Sequence, residues 1–599
     1  MLRMRKGLLW VEELAIIAGL ALLLGCGSSG NNSGGGNNGG GGGGNNPPPQ
    51  IISLDPAQAT AGGPGFTLTV TGTGFVSASV VNWNGTARTT TFQSATVLTA
   101  AIGANDIAVT GSAAVTVVSP ESFGSVISGS VNFPIKPVVQ PPPTSAGVIA
   151  LVSAATDGTP GNAESGISAI SANARFVAFS STSSNFTTAG NNGFFNIFLR
   201  DTCNAAPTGC TPSTVPVSVA PDGSLGNGDS GDSLTFATYP AIGADGRYVA
   251  FASNATNLVA NDSNAVTAIF LRDTCIGAAA GCTPATTLVS VASDGTPANG
   301  NSLDPSISSD GRFVVFDSDG ANLVGNDTNG NTDVFLRDTC IGAPQGCTPS
   351  TVRLSVASDG TQGNDISNSP AISGGGRYVA FQSFANNLVA NGPGLFVNIY
   401  VRDTCFGAAA GCTPGTSLIS LGPGGTLGND GSTFPTISGD GRFITFASFA
   451  SNLVAGGTTQ GVNNVFVRDS CAGVAGCTPA TNLVSLSSAG AQGNGASGLP
   501  TISSSGRFIA FNSDADNLVI GDTNGFTDVF VRDTCIGAPA GCTPSTVIVS
   551  IKPDGTQGNF NSSIPSISAD GHFLTFGGGA SNFVPVVAPS DIFLAKTSF

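Results

Sequence analysis

Charge is scarce in this 599-residue chain: only 9% of its residues are Asp, Glu, Lys or Arg. What charge exists leans acidic, with 36 acidic against 20 basic side chains and a formal net charge of −16. Nucleic acid needs a basic patch that releases counterions from phosphate, and nothing here supplies one. Histidine is reduced to His572, and Glu164 is the sole Glu after residue 121. General acid–base and nucleophilic catalysis usually recruit His, Glu or an activated Cys or Ser, and of His and Glu this chain offers very few. The paired carboxylates of a glycosidase are disfavoured too, unless Asp stands in. No Trp follows Trp83, and Tyr is limited to Tyr239, Tyr248, Tyr378 and Tyr400, which argues against aromatic sugar platforms. What abounds is Gly, with 84 copies, beside Ser, Thr, Asn and Val. That composition describes short strands joined by tight turns, an all-β chain rather than a helical one.

Residues 1–25 read as a secretory leader, with a basic start at Arg3, Arg5 and Lys6 and an apolar run from Leu14 to Leu24. A bilayer span needs about 20 apolar residues, which this run does not reach. Its end, Leu23-Leu24-Gly25-Cys26, resembles the lipobox of bacterial lipoproteins. That resemblance implies cleavage before Cys26, lipid on its thiol and, with Gly27 rather than Asp next, delivery to the outer membrane. The expected location is therefore the cell envelope, lipid-anchored.

Beyond Cys26 the other 12 of the 13 Cys fall in six close pairs: Cys203 and Cys210, Cys275 and Cys282, Cys340 and Cys347, Cys405 and Cys412, Cys471 and Cys477, Cys535 and Cys542. Parity and spacing predict local disulfides in an oxidising compartment. Metal thiolate sites favour shorter steps converging in fours, which these pairs do not offer.

Residues 26–49 form a Gly/Asn/Pro tether. Over 50–137, strand-like runs such as FTLTVTGTGF (66–75) and SAAVTVVSP (112–120) alternate with turn residues and predict a small β-sandwich. Its opening, IISLDPAQATAGGPGFTLTVTGTGF, with a later strand ending Trp83-Asn84-Gly85, resembles the IPT/TIG family of immunoglobulin-like domains. A Pro-rich linker follows at 138–146.

From 147 to 599 the chain is one repeat. Arg175, Arg247, Arg312, Arg377, Arg442, Arg507 and, in the same frame, His572 recur every 65 residues after a first step of 72. A second anchor, Arg-Asp-Thr/Ser-Cys, recurs at Arg200, Arg272, Arg337, Arg402, Arg468 and Arg532. Each repeat reads as four strands, PSISSD, GRFVVFDS, TDVFLRDTC and STVRLSVASDG in the third, the pattern of propeller blades. The seventh repeat has only three, and GVIALVSAATDGTPGN (147–162) matches the missing fourth. An N-terminal strand is thus expected to close a seven-bladed β-propeller. Strands of the type SISADGRYVAF followed by NLVxxDTNGxxDVFVRD resemble the WD-like repeats of TolB-like propellers, which specifies fold far better than activity.

Both Arg series are expected to pair with nearby Asp, including Asp201, Asp273, Asp338, Asp403, Asp469 and Asp533. His572 replaces a repeat Arg and reads as structural. In repeats three and six the loops NDTNGNTD and GDTNGFTD gather Asp327, Asn329 and Asp333, or Asp522, Asn524 and Asp528. Oxygen donors so spaced suit Ca2+, although Asp and Asn also favour such turns through their own backbone. The face formed by the longest loops, with Asp229, Asp232, Asp262 and Asp327, is expected to receive a protein or glycan partner. The favoured function is binding or scaffolding without catalysis. A propeller hydrolase or lyase, with an Asp and metal cluster at the axial mouth, and a structural surface-layer component are the alternatives.

Overall fold

The computed structural model describes residues 48–136 and 148–599, apart from 62, 109–110, 122–123, 188–191, 232–237, 261–265, 391, 393 and 585–587. The expected leader, Cys26, all but the end of the tether, the linker 138–146, Asp232 and Asp262 lie outside the described residues. Among the described residues no helix is long and apolar enough to cross a membrane.

Residues 50–136 form two facing sheets. One is ordered Gln50–Asp55, Phe66–Thr73, Val97–Ile102, Thr90–Ser94; the other runs Ala59–Thr60, Val131–Lys136, Gly111–Glu121, Val80–Trp83, Thr86–Ala87. Alternation along FTLTV turns Leu68 and Val70 inward, since successive strand side chains point to opposite faces. They meet Val81, Leu98, Val115, Val117 and the Trp83–Phe133 ring pair, whose centroids lie 5.0 Å apart.

From residue 149 onward the described residues form seven four-stranded antiparallel sheets. In the third, Ser302–Ile307, Phe313–Ser318, Asp333–Asp338 and Ser350–Arg353 are adjacent in that order. The middle two strands are buried on both faces because each sheet packs against two neighbours, which is why they read as unbroken apolar runs. Across them one aromatic pair repeats in all seven blades, as Phe316–Phe335 or Phe381–Tyr400. The seventh sheet is completed from the N-terminal side: Ile149–Leu151 pairs antiparallel with Asp591–Lys596. Ile592 and Leu594 share a core with Val177 and Phe179 of the first blade, so the ring closes as the repeat predicts.

Two strand boundaries differ from expectation. The fourth strand stops at Arg353 because Val356 bridges to Gln362 in a separate small turn. The first strand begins three residues before PSISSD and carries a bulge, the register shifting between Leu303 and Ser306. The residue before Pro is pushed out of the ladder with positive φ, as at Asp304 (49°), Ser369 (50°) and Phe434 (53°). Because the first strand is the inner edge of every sheet, these residues point to the propeller axis.

Candidate interaction face

The two ends of the ring are built differently. On the end that carries the hairpins between third and fourth strands, all six Cys pairs are disulfides within their own hairpins, with Cα–Cα distances of 5.6–5.8 Å. Their sulfurs are thereby unavailable as metal thiolates, although an Asp stands beside each described pair. That Asp belongs to a clamp. Arg312 Nε and Nη2 donate to Asp338 at 2.9 and 2.7 Å, and Asp338 Oδ1 accepts the Cys340 N–H at 2.9 Å. Arg312 also lies over the Phe313 ring, 4.7 Å from its centroid. The same clamp recurs at Arg175–Asp201, Arg247–Asp273, Arg377–Asp403, Arg442–Asp469 and Arg507–Asp533. The next blade's turn seats on that ring: a Cβ at Gly376, where φ is +80°, would come within 2.3 Å of Phe313. His572 and Lys596 take the clamp positions in the seventh blade.

The third-strand arginines depart from expectation and do not join Asp. Arg200 follows the same strand as Asp201 and therefore leaves on the opposite face. Its Nη1 donates to the Ala154 and Ala155 carbonyls and to Thr214 Oγ1. Burial lowers this guanidinium to about 10. Arg337, Arg402, Arg468 and Arg532 reach the preceding blade's backbone likewise, so this series welds neighbouring blades.

On the opposite end, the long loops are tied together by asparagines that the repeat pattern alone did not mark. Asn387, between the second and third strands, accepts the Asn364 N–H through Oδ1 at 3.0 Å. Its Nδ2 donates to the Gln362 carbonyl at 2.8 Å. The clasp holds in all seven repeats, at Asn185, Asn257, Asn322, Asn387, Asn452, Asn517 and Asn582. These loops are therefore long but braced.

The two Ca2+ candidates resolve into hydrogen-bonded turns. In repeat three, Arg353 Nη1 contacts Asp327 Oδ1 at 3.1 Å and Asp333 Oδ2 at 3.3 Å, so a guanidinium already supplies the positive charge. Gln362 Nε2 donates to both carboxylates, and Ser355 Oγ to Asp333. Asn329 Oδ1 accepts the Asn331 N–H, the turn that Asn makes unaided. In repeat six, Asn524 Oδ1 accepts from Phe526, its Nδ2 and Ser550 Oγ donate to Asp528, and Gln557 donates to Asp522. Burial raises Asp528 to about 6 and also raises Asp522. In repeat three the guanidinium thus stands where a cation would, and in repeat six the donors bond to one another.

Of the residues expected to meet a partner, Asp229 accepts the Phe195 N–H at 2.8 Å and Asp327 faces Arg353, so both are held internally. Exposed acids of this face include Asp319, Asp365, Asp430, Asp514 and Asp516. With them stand exposed Phe384, Phe396, Phe449, Phe526 and Phe560, with Leu395 and Ile520 almost wholly in solvent. Acid and aromatic share repeat positions: Asp319, Phe384, Phe449 and Asp514 each follow the second strand of successive blades. In the segments joining second to third and fourth to first strands, Lys552 is the only basic residue.

Residues 49–135 match the family model of the IPT/TIG domain, in agreement with the two-sheet fold of that segment. The remainder is a β-propeller. Among solved structures, a TolB-type protein from Agrobacterium tumefaciens is 16% identical, covering 60% of this chain and 89% of that one, with a TM-score of 0.30. Prolyl oligopeptidase B from Galerina marginata is 8% identical over 79% of this chain and 52% of that one, with a TM-score of 0.37. The tricorn protease is 12% identical over 81% and 33%, with a TM-score of 0.26. At such scores these likenesses bear on no activity. No curated protein matches the chain.

Proposed function

We propose that this protein is a binding scaffold of the cell envelope, held by lipid on Cys26, that captures a protein or glycan partner on its long-loop face without turnover. The observation that carries this reading is the asymmetry of the ring. One end is locked by six disulfide clamps, while the other presents exposed Phe and Asp on braced loops. Exposed aromatic clusters of this kind mark binding surfaces, and aromatic anchors dominate interface energetics. Carboxylates with almost no counter-charge favour a partner that brings basic groups to the same surface. The paucity of His and Glu agrees with capture rather than catalysis.

The test is capture from envelope extract by purified protein lacking Cys26. Two paired variants, Phe384→Ser with Phe449→Ser and Asp319→Asn with Asp514→Asn, should each weaken capture, by about tenfold or more for the aromatic pair. Capture that ignores both, or a purified propeller that turns over a substrate, would sink the proposal.

A further inference from the structure

The propeller axis holds a group that none of the preceding roles uses. Each blade places two side chains at its inner edge: the bulged residue before Pro on the first strand, and the fifth residue of the second strand. In blade four these are Ser369 and Gln382. Gln382 Oε1 accepts the Phe434 N–H of the next blade at 2.9 Å, and its Nε2 donates to Asn368 at 2.9 Å, so a neutral amide is satisfied between strands. The other blades are neutral at both positions: Ile167 and Ser180, Tyr239 and Ala252, Phe434 and Ala447, Leu499 and Asn512, Ile564 and Gly577. Blade three alone has acids at both, Asp304 and Asp317.

The two acids are neighbours across the ladder, since Asp317 stands opposite Leu303. Asp317 is 4% exposed; its Oδ1 has no hydrogen-bond partner, while backbone N–H groups, that of Ser369 among them, act on its carboxyl. Asp304 Oδ2 accepts only a 3.2 Å bond from Ser369 Oγ. No Lys or Arg acts on either carboxyl. Burial raises both acids, Asp304 to about 6, and the charge of Asp304 raises Asp317 further. Tyr239, one blade before, also senses Asp304, whose charge adds to burial in raising its phenol. A buried carboxylate without a counter-charge is costly, and a repeat that keeps neutral residues at six of seven blades has no packing reason to set two acids side by side.

We propose that Asp304 and Asp317, with Ser369 Oγ, hold one oxygen-seeking divalent cation of the Ca2+ class in the axial channel. Every donor facing this point is oxygen, which selects hard cations over thiophilic or imidazole-seeking metals. Water completes the coordination, because the pre-proline position opens toward the axis. The cation joins the inner edges of blades three and four, as the Gln382 amide joins those of blades four and five. This site is independent of the long-loop reading and can fail or stand without it.

The experiment uses purified full-length protein stripped with chelator. Ca2+ alone is titrated calorimetrically, and Tb3+ emission is read under excitation of tyrosine, with Tyr239 as the adjacent antenna. The control is built from the fold's own solution: Asp304→Ser with Asp317→Gln copies the inner edge of blade four. One saturable Ca2+ site should vanish in that variant, together with the sensitised Tb3+ emission and a Ca2+-induced rise of a few degrees in Tm. All three should survive Asp522→Asn with Asp528→Asn. If the paired variant misfolds, Asp317→Gln alone should lower Ca2+ affinity at least tenfold. Ca2+ that leaves Tm unchanged, or binding that persists in the blade-four copy, overturns the site. So does a chelated protein whose melting depends on pH but never on Ca2+, which would mean the acids merely share a proton.

Discussion

Asp591 sits where the ring is latched, and replacing it by Asn should stabilise the protein. It opens the third strand of the seventh sheet, beside the N-terminal strand that completes it. Its Oδ1 accepts from Ser153 Oγ at 2.7 Å, while its Oδ2 is buried with no partner. Burial raises this carboxyl to about 6. An unfolded Asp titrates near 3.9, a gap of about two units, so the ionised form costs the fold up to about 3 kcal/mol. The folded state holds the proton after the unfolded state has released it, so stability falls as pH rises from about 4 to about 6 and stays reduced above. The same position in three other blades is Asn196, Asn398 and Asn464. There Oδ1 accepts from a Ser, as from Ser420 at 2.8 Å, and Nδ2 donates to the carbonyl two residues earlier, as Asn398 to Phe396 at 2.8 Å. Asp591→Asn can repeat that arrangement with Pro589. Urea unfolding of both proteins at pH 4, 5, 6 and 7.5 should show a stability difference near zero at pH 4 that grows to between about 1 and 3 kcal/mol at pH 7.5. A difference independent of pH, or an Asn variant less stable at pH 7.5, would mean that the Asp591 charge does not limit the fold.

Other parts of the scaffold are open to similar measurements. Replacing Cys340 and Cys347 together by Ser reopens a hairpin closed over a separation of 7 residues; chemical unfolding should register a loss of about 2 to 3 kcal/mol. Arg353→Met leaves Asp327 and Asp333 buried without their cation. It should cost about 3 to 5 kcal/mol at neutral pH, and addition of Asp333→Asn should recover part of that loss. Asn387→Ala removes both ends of one clasp and should speed hydrogen exchange in the long loops of blade four while leaving the stapled hairpins protected. Metabolic labelling with a fatty-acid analogue should mark the native protein and not Cys26→Ser; label on the variant would remove the proposed anchor.

The period of the repeat was enough to read the number of blades, the closing strand and the hairpin disulfides, because each follows from spacing along one strand or one turn. Contacts between blades were not legible in the same way. Arg200 and Asp201 are adjacent in sequence, which suggested that both Arg series pair with such Asp, yet strand alternation sends these two to opposite faces and different blades. The Asp327 loop looked like a cation site because the cation it meets, Arg353, lies on another strand of the sheet. Asn387 was hidden among turn-forming asparagines, although its fixed offset of 23 residues from Asn364 was a signal available from aligned repeats. The same alignment would have shown that one repeat position is Asp or Phe in four successive blades, at Asp319, Phe384, Phe449 and Asp514. The inner-edge acids were missed because the first strand was placed to begin at Pro305, after the bulge that turns Asp304 toward the axis.

The most direct test of the scaffold account is site-specific photo-crosslinking in the intact envelope. A photoreactive phenylalanine at Phe384, on the long-loop face of blade four, is compared with one at Ala409, exposed on the stapled hairpin of the same blade. One discrete crosslinked partner is expected from position 384, suppressed by Phe449→Ser, and none from position 409. Crosslinks from position 409 with none from 384 would contradict it.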